Sequence, residues 1–190
     1  MRKYSWKELF VSSYGELRHA GTMTVCALMG AAAIVLGSLS IYVTDTIRIG
    51  FSGIPNQIVH YLFGPVTGSL FAGAMDILKY LIKPSGAFFP GFTLVTMAAG
   101  LIYGCFFYKR PITFGRVLAA HLAVALVCNV ILNTACLSVL YGKGMGVLLP
   151  PRLVKNLIMC PIDSVIFYHV ARALDAAGVF RAIKRKGASA

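Results

Sequence analysis

Residues 54–82 read IPNQIVHYLFGPVTGSLFAGAMDILKYLI, an apolar run interrupted once, by Gly64-Pro65. Proline has no amide donor and its ring collides with the preceding turn, so a single straight helix cannot continue through that pair. The stretch therefore reads as two helices, 54–63 and 66–82. At about 1.5 Å per residue the first is too short to cross a hydrocarbon core of about 30 Å unaided. Working outward, four further apolar runs occupy 24–43, 92–108, 117–140 and 153–173. Together they predict about six transmembrane helices.

Composition points the same way. With 58% hydrophobic residues, 13% charged residues and a mean hydropathy of +0.77, the 190-residue chain carries more apolar surface than a water-soluble core of this size could hide. The expected fold class is an all-α integral membrane protein. It divides into an N-terminal cytoplasmic segment (1–23), a six-helix membrane domain (24–173) and a basic cytoplasmic tail (174–190). The net charge of +12 lacks the aromatic and basic face of a nucleic-acid binder and follows membrane topology instead.

Basic residues in the loops orient the chain. With the N-terminus inside, the inner set is Arg2, Lys3, Lys7, Arg18, Lys109, Arg110, Arg116, Arg172, Arg181, Lys184, Arg185 and Lys186. The outer set is Arg48, Lys79, Lys83, Lys143, Arg152 and Lys155. The twofold bias selects both termini as cytoplasmic. The first apolar run follows more than twenty residues and is long enough to span, which argues against a cleaved signal peptide. Ahead of it, Trp6, Phe10, Tyr14 and Leu17 recur at helical spacing, as in a helix lying in the inner headgroup layer.

No catalytic or metal-binding pattern is visible. Cys26, Cys105, Cys128, Cys136 and Cys160 lie in apolar runs without a CxxC pair, and His19, His60, His121 and His169 are scattered. A phosphate loop, a GxSxG elbow and an HExxH helix are all missing, and the glycine-rich run 141–146 reads as a turn. No cofactor is expected.

Polar groups inside the spans are costly unless they face a bundle interior or a watered cavity, so they mark the candidate site. Asp76, Lys79 and Lys83 share one helix face at i, i+3 and i+7; Arg152, Asn156 and Asp163 share another at i, i+4 and i+11; Asn129 and Asn133 form an amide pair at i, i+4. On the outer side six cations face only Asp45, Asp76 and Asp163. That surplus suits an anionic small molecule. Between the third and fourth spans, KPSGAFFPGF (83–92) is stiffened by proline, and Phe88 and Phe89 could cover a planar ring.

These pieces, in order, resemble a known family. Residues 47–57 (IRIGFSGIPNQ), Tyr61 to Pro65, Asp76 to Tyr80 running into 83–93, Asn133-Thr134, Tyr141 to Gly144, and Leu149 to Arg152 with Lys155-Asn156 are similar to the substrate-binding S component of bacterial energy-coupling factor (ECF) vitamin transporters, the folate type. The chain departs from that pattern at Ala87, where proline is frequent, and at Val95, where a polar residue is.

The resemblance implies a six-helix S-component fold that captures folate from outside the cell. It also implies partners, a transmembrane coupling subunit and two ATPase subunits, which together form an ABC-type importer. Ala27 and Ala31 would then be the docking face, since small residues allow close helix approach. For the ligand, Asp76, Asn133, Asn156 and Asp163 would serve the pterin edge, Phe88 and Phe89 would cap the ring, and Arg48, Lys79 and Arg152 would hold the glutamate tail. Two alternatives stay open: an S component for another vitamin such as riboflavin or thiamine, and a small membrane enzyme using Asp76 and His60.

Overall fold

The computed structural model of the chain describes residues 6–38, 40–42, 48–84, 88–142 and 144–187. Its helices are α1 (Trp6–Glu16), α2 (Ala20–Ser38), α3 (Gly53–Ile82), α4 (Pro90–Phe107), α5 (Phe114–Val124), α6 (Asn133–Tyr141), α7 (Met145–Ala176) and α8 (Val179–Gly187). A π-helical stretch, Ala125–Leu132, joins α5 to α6, and a short antiparallel ribbon, β1 (Ser40–Tyr42) with β2 (Arg48–Gly50), follows α2. Asp45, Lys143, Arg2, Lys3 and the middle of the 83–92 loop lie outside the described residues.

Five described helical stretches are long and apolar enough to cross a membrane: Ala20–Gly37, Gly53–Ile82, Pro90–Phe107, Phe114–Tyr141 and Leu149–Ala176. The sixth pass is hidden in α3. Gly64 takes φ 83°, ψ −166°, a conformation that side chains oppose, and the helix doubles back there. A Cβ on Gly68 would stand 3.2 Å from His60 Cγ, although in a continuous helix residues eight apart lie about 12 Å apart along the axis. The arms 53–63 and 65–82 are therefore antiparallel neighbours.

α4 returns along the second arm on a seam of glycines. A Cβ on Gly100 would lie 3.0 Å from the Gly68 carbonyl oxygen, one on Gly104 2.8 Å from the Gly64 carbonyl carbon, and one on Gly73 2.9 Å from Met97 Cγ. Partners that descend in one helix as they rise in the other define an antiparallel pair, and Gly100 with Gly104 makes a GxxxG spacing that permits the approach.

The break at Gly64-Pro65 frees backbone groups, and α1 satisfies them. Ser13 Oγ donates to the Phe63 carbonyl (2.6 Å) and accepts from the amides of Val66 (3.0 Å) and Thr67 (3.2 Å), while Thr67 Oγ1 donates to the Ser13 carbonyl (2.7 Å). Leu9 and Ser13 are thus the buried face of α1, and Phe10 and Tyr14 are exposed. Lys109 Nζ donates to Ser12 Oγ (2.6 Å), tying α1 to the α4–α5 connection as well.

Two expectations need adjustment. α2 ends at Ser38, short of the expected 43, because Ser40–Tyr42 pairs with Arg48–Gly50 in the register Ser40↔Gly50, Ile41↔Ile49, Tyr42↔Arg48. Isoleucine and tyrosine suit a pleated ribbon as well as an apolar helix, and hydropathy does not separate the two. α7 starts earlier than expected, at Met145, with Pro150 and Pro151 near its beginning. The main core gathers Val59, Leu62, Phe63, Phe107, Val117, Phe167 and Phe180.

Candidate functional site

The helix ends opposite Gly64 converge on a cavity of about 1010 Å³. Its wall is built from the last turns of α2 (Ala33, Ile34, Val35, Gly37), from Gly50 and Ser52, and from the last turns of α3 (Asp76, Lys79, Tyr80, Ile82, Lys83). Phe88, Phe89 and Phe92, one face of α6 with Asn133, and Arg152 of α7 complete it. Of the residues expected from sequence, the cavity brings together Asp76, Lys79, Phe88, Phe89, Asn133 and Arg152. These lie up to 76 positions apart in the chain.

Asp76 Oδ2 accepts a hydrogen bond from Thr93 Oγ1 (2.8 Å), which orients the carboxylate from the first turn of α4. Among the described lining residues it is the sole carboxylate, against the cations of Lys79, Lys83 and Arg152. Phe88 leans on Tyr80 with ring centroids 5.1 Å apart, and Phe89 meets Phe92 edge-on at 5.7 Å. Phe89 is the extended residue that caps α4, with Pro90 at the first helical position, where a missing amide is harmless. Gly91 lets the chain pass so close to Phe89 and Cys136 that a Cβ would lie 2.9 Å from the Cys136 sulfur.

Asn156 and Asp163 are not among the lining residues. Asn156 Nδ2 donates to the carbonyl of Arg152 (2.9 Å) on its own helix. Asp163 lines a separate cavity of about 70 Å³ with Gly50, Phe51, Gly53, Ile54 and Gln57, so that Gly50 borders both spaces. Arg48 belongs to β2, and its side chain lies outside the described residues. Asn129 sits in the π-helical stretch and does not line the cavity.

Sequence reasoning did not single out Tyr80, Leu137, Leu140 and Tyr141. The last three stand at i+4, i+7 and i+8 from Asn133, a helical face readable once Asn133 is placed. Two of the four histidines are packing residues: His60 is buried and stacked on Tyr103 at 5.9 Å, and His121 bonds the Val117 carbonyl (2.9 Å) and Gln57 (3.0 Å). Among the described residues no three His, Cys, Asp or Glu side chains are grouped to hold a metal. Ala27 and Ala31 are exposed on α2, beside exposed Leu28 and Val35.

Comparison with known proteins agrees with this architecture. Residues 21–171 match the family described as ECF transporter, substrate-specific component. The chain is 36% identical over 159 residues to the folate transporter FolT of Clostridium novyi (strain NT), covering 84% of this chain and 92% of that protein. It is 32% identical over 148 residues to the folate transporter FolT of Leuconostoc mesenteroides subsp. mesenteroides, covering 75% and 80%. Among solved structures, the crystal structure of FolT bound with folic acid superposes with a TM-score of 0.72 at 31% identity, over 81% of this chain and 94% of that one. The S component of a bacterial ECF transporter superposes at 0.53 with 21% identity over 82% and 95%, a likeness of fold alone. The chain belongs to the substrate-specific components of ECF transporters.

Proposed function

We propose that this chain is the folate-binding subunit of an ECF-type ABC importer, taking folate from the extracellular side into the cavity described above. The observation that carries the reading is the composition of the described cavity wall: three cations against one carboxylate, with Phe88, Phe89 and Phe92 beside them. Folate is a flat pterin with a donor and acceptor edge, an apolar linker and a tail of two carboxylates. Asp76, held by Thr93, and Asn133 offer partners for the pterin edge. Phe88 and Phe89 cap the ring, and Lys79 and Arg152 take the tail, arginine by a forked contact. Of the rest of the set expected from sequence, Asn156 and Asp163 stand outside this cavity, and the side chain of Arg48 lies outside the described residues. The names of the relatives support the same ligand.

Energy comes from partners in this reading: a transmembrane coupling subunit, docked on the exposed Ala27 and Ala31 face of α2, and two ATPase subunits. The chain is a carrier component rather than an enzyme. Its termini are cytoplasmic, because the described cations of the end with α1 and α8 outnumber those beside the cavity.

Isothermal titration of the purified chain with folate, riboflavin, thiamine and biotin tests the ligand. Saturable binding of folate alone is expected. Preference for another of the four would overturn the assignment while leaving the family intact.

A further inference from the structure

α8 lies outside the residues matched by the family and is built differently from the spans. The chain leaves α7 through a tight elbow: the Ala177 amide bonds the Ala173 carbonyl (2.9 Å), the Gly178 amide bonds the Asp175 carbonyl (3.0 Å), and Gly178 takes φ 72°. Phe180 then plugs into the core, 3% exposed and 5.0 Å from the Tyr61 ring, which fixes α8 against the end of the bundle. Between this elbow and the start of α2 runs a groove of about 310 Å³, walled by Gly21, Val25, Gly178, Val179, Ala182 and Ile183. The wall is apolar and its small residues leave it open.

Two properties of this corner point to one class of occupant. The groove lies along the first two turns of α2 and just past the end of α7, where the candidate spans begin and end, so it opens at headgroup depth. Beside it runs α8, whose sequence holds Arg181, Lys184, Arg185 and Lys186 within nine residues and no acid; the carboxylates at this corner are Asp175 and Glu16, the latter engaged by Thr22 Oγ1 (3.4 Å). An apolar slot next to a concentrated positive charge at that depth complements an acyl chain joined to an anionic headgroup.

We propose that the groove between the start of α2 and the α7–α8 elbow holds an acyl chain of an anionic phospholipid, its phosphate drawn by exposed Arg181 and by the net positive charge that the α8 sequence carries. The bound lipid braces α8 across the bundle end that carries both termini. It also lies at the opposite end of the molecule from the ligand cavity, so its occupancy is independent of folate recognition.

The full chain, purified in mild detergent, is mixed with equal amounts of phosphatidylglycerol and phosphatidylcholine, and retained lipid is read by native mass spectrometry. Phosphatidylglycerol is expected to be retained about tenfold over phosphatidylcholine at low salt, as polybasic attraction predicts. The preference should fall several-fold by about 1 M salt, where the screening length shrinks to about 3 Å. The combined variant R181Q/K184Q/R185Q/K186Q should lose the preference, and Ala182→Phe, filling the groove from an exposed position, should lose retained lipid of both kinds. Equal retention of the two lipids by the unmodified chain overturns the proposal, as does undiminished phosphatidylglycerol retention in either variant. A lipid-free dimer in place of a lipid-bound monomer overturns it in favour of a second copy. Should a variant not fold, the salt titration of the unmodified chain decides alone, and a salt-independent preference counts against the proposal.

Discussion

Arg152 and Lys155 are three positions apart on α7, yet only Arg152 lines the cavity. The pair separates a ligand contact from general surface charge. Arg152→Ala should weaken folate binding by about tenfold or more, the loss of a hydrogen bond to a charged group being worth about 1.5–3 kcal/mol. Lys155→Ala should leave affinity unchanged, and equal effects in titration calorimetry would refute the assignment of Arg152 to the tail. Thr93→Val removes the donor that orients Asp76 and should lower affinity several-fold with little change in thermal stability. Sequence spacing picks out four residues that line the cavity, Asp76, Lys79, Asn133 and Arg152, because helical periodicity fixes direction around an axis. It does not fix depth. Asp163 lies eleven residues beyond Arg152 in α7, about 16 Å further along the helix at about 1.5 Å per residue, and so reaches the small cavity beside Gln57 instead.

At the scale of elements, the decisive feature of α3 was legible and its repair was not. Gly64-Pro65 announces a break in any apolar run, since neither residue supports a continued helix. What the amino-acid order conceals is that Ser13, about fifty residues upstream, supplies the hydrogen bonds that the break leaves open. Helical spacing points instead to the face of Phe10 and Tyr14, which is exposed. The π-helical stretch was equally hidden, because ALVCNVIL has an unremarkable helical composition and only packing selects the wider turn. Ser13→Ala should leave the Phe63 carbonyl and two amides without their partner. At about 1–3 kcal/mol for each buried group left unpaired, a clear drop in melting temperature is expected. A variant melting within a degree of the parent would show that α1 is not a structural brace. Gly104→Leu should be more severe and prevent folding, because its side chain would occupy the backbone of Gly64 and Pro65.

For the molecule as a whole, the unequal arms of α3 explain where the cavity comes from. Both arms meet at Gly64; residues 53–63 rise about 16 Å from it and residues 65–82 about 27 Å, at about 1.5 Å per residue. The shortfall of about 10 Å lies at the cavity end, and the ribbon, Gly50 and Ser52 enter the space that a full-length helix would have filled. Six passes also place α1 and α8 at the Gly64 end, as the contacts of Ser13 with Phe63 and of Phe180 with Tyr61 require. The cavity is therefore at the end of the bundle opposite α1 and α8. In right-side-out vesicles, a reporter active only in the cytoplasm and fused to Ala190 should give signal while folate added outside binds without entering, since no ATP-hydrolysing part belongs to this chain's family role. Signal together with binding confined to inside-out vesicles would break the link between short arm and outer cavity. Loss of the reporter signal with outside binding intact would instead show that the chain crosses an odd number of times, contradicting the doubled-back reading of α3.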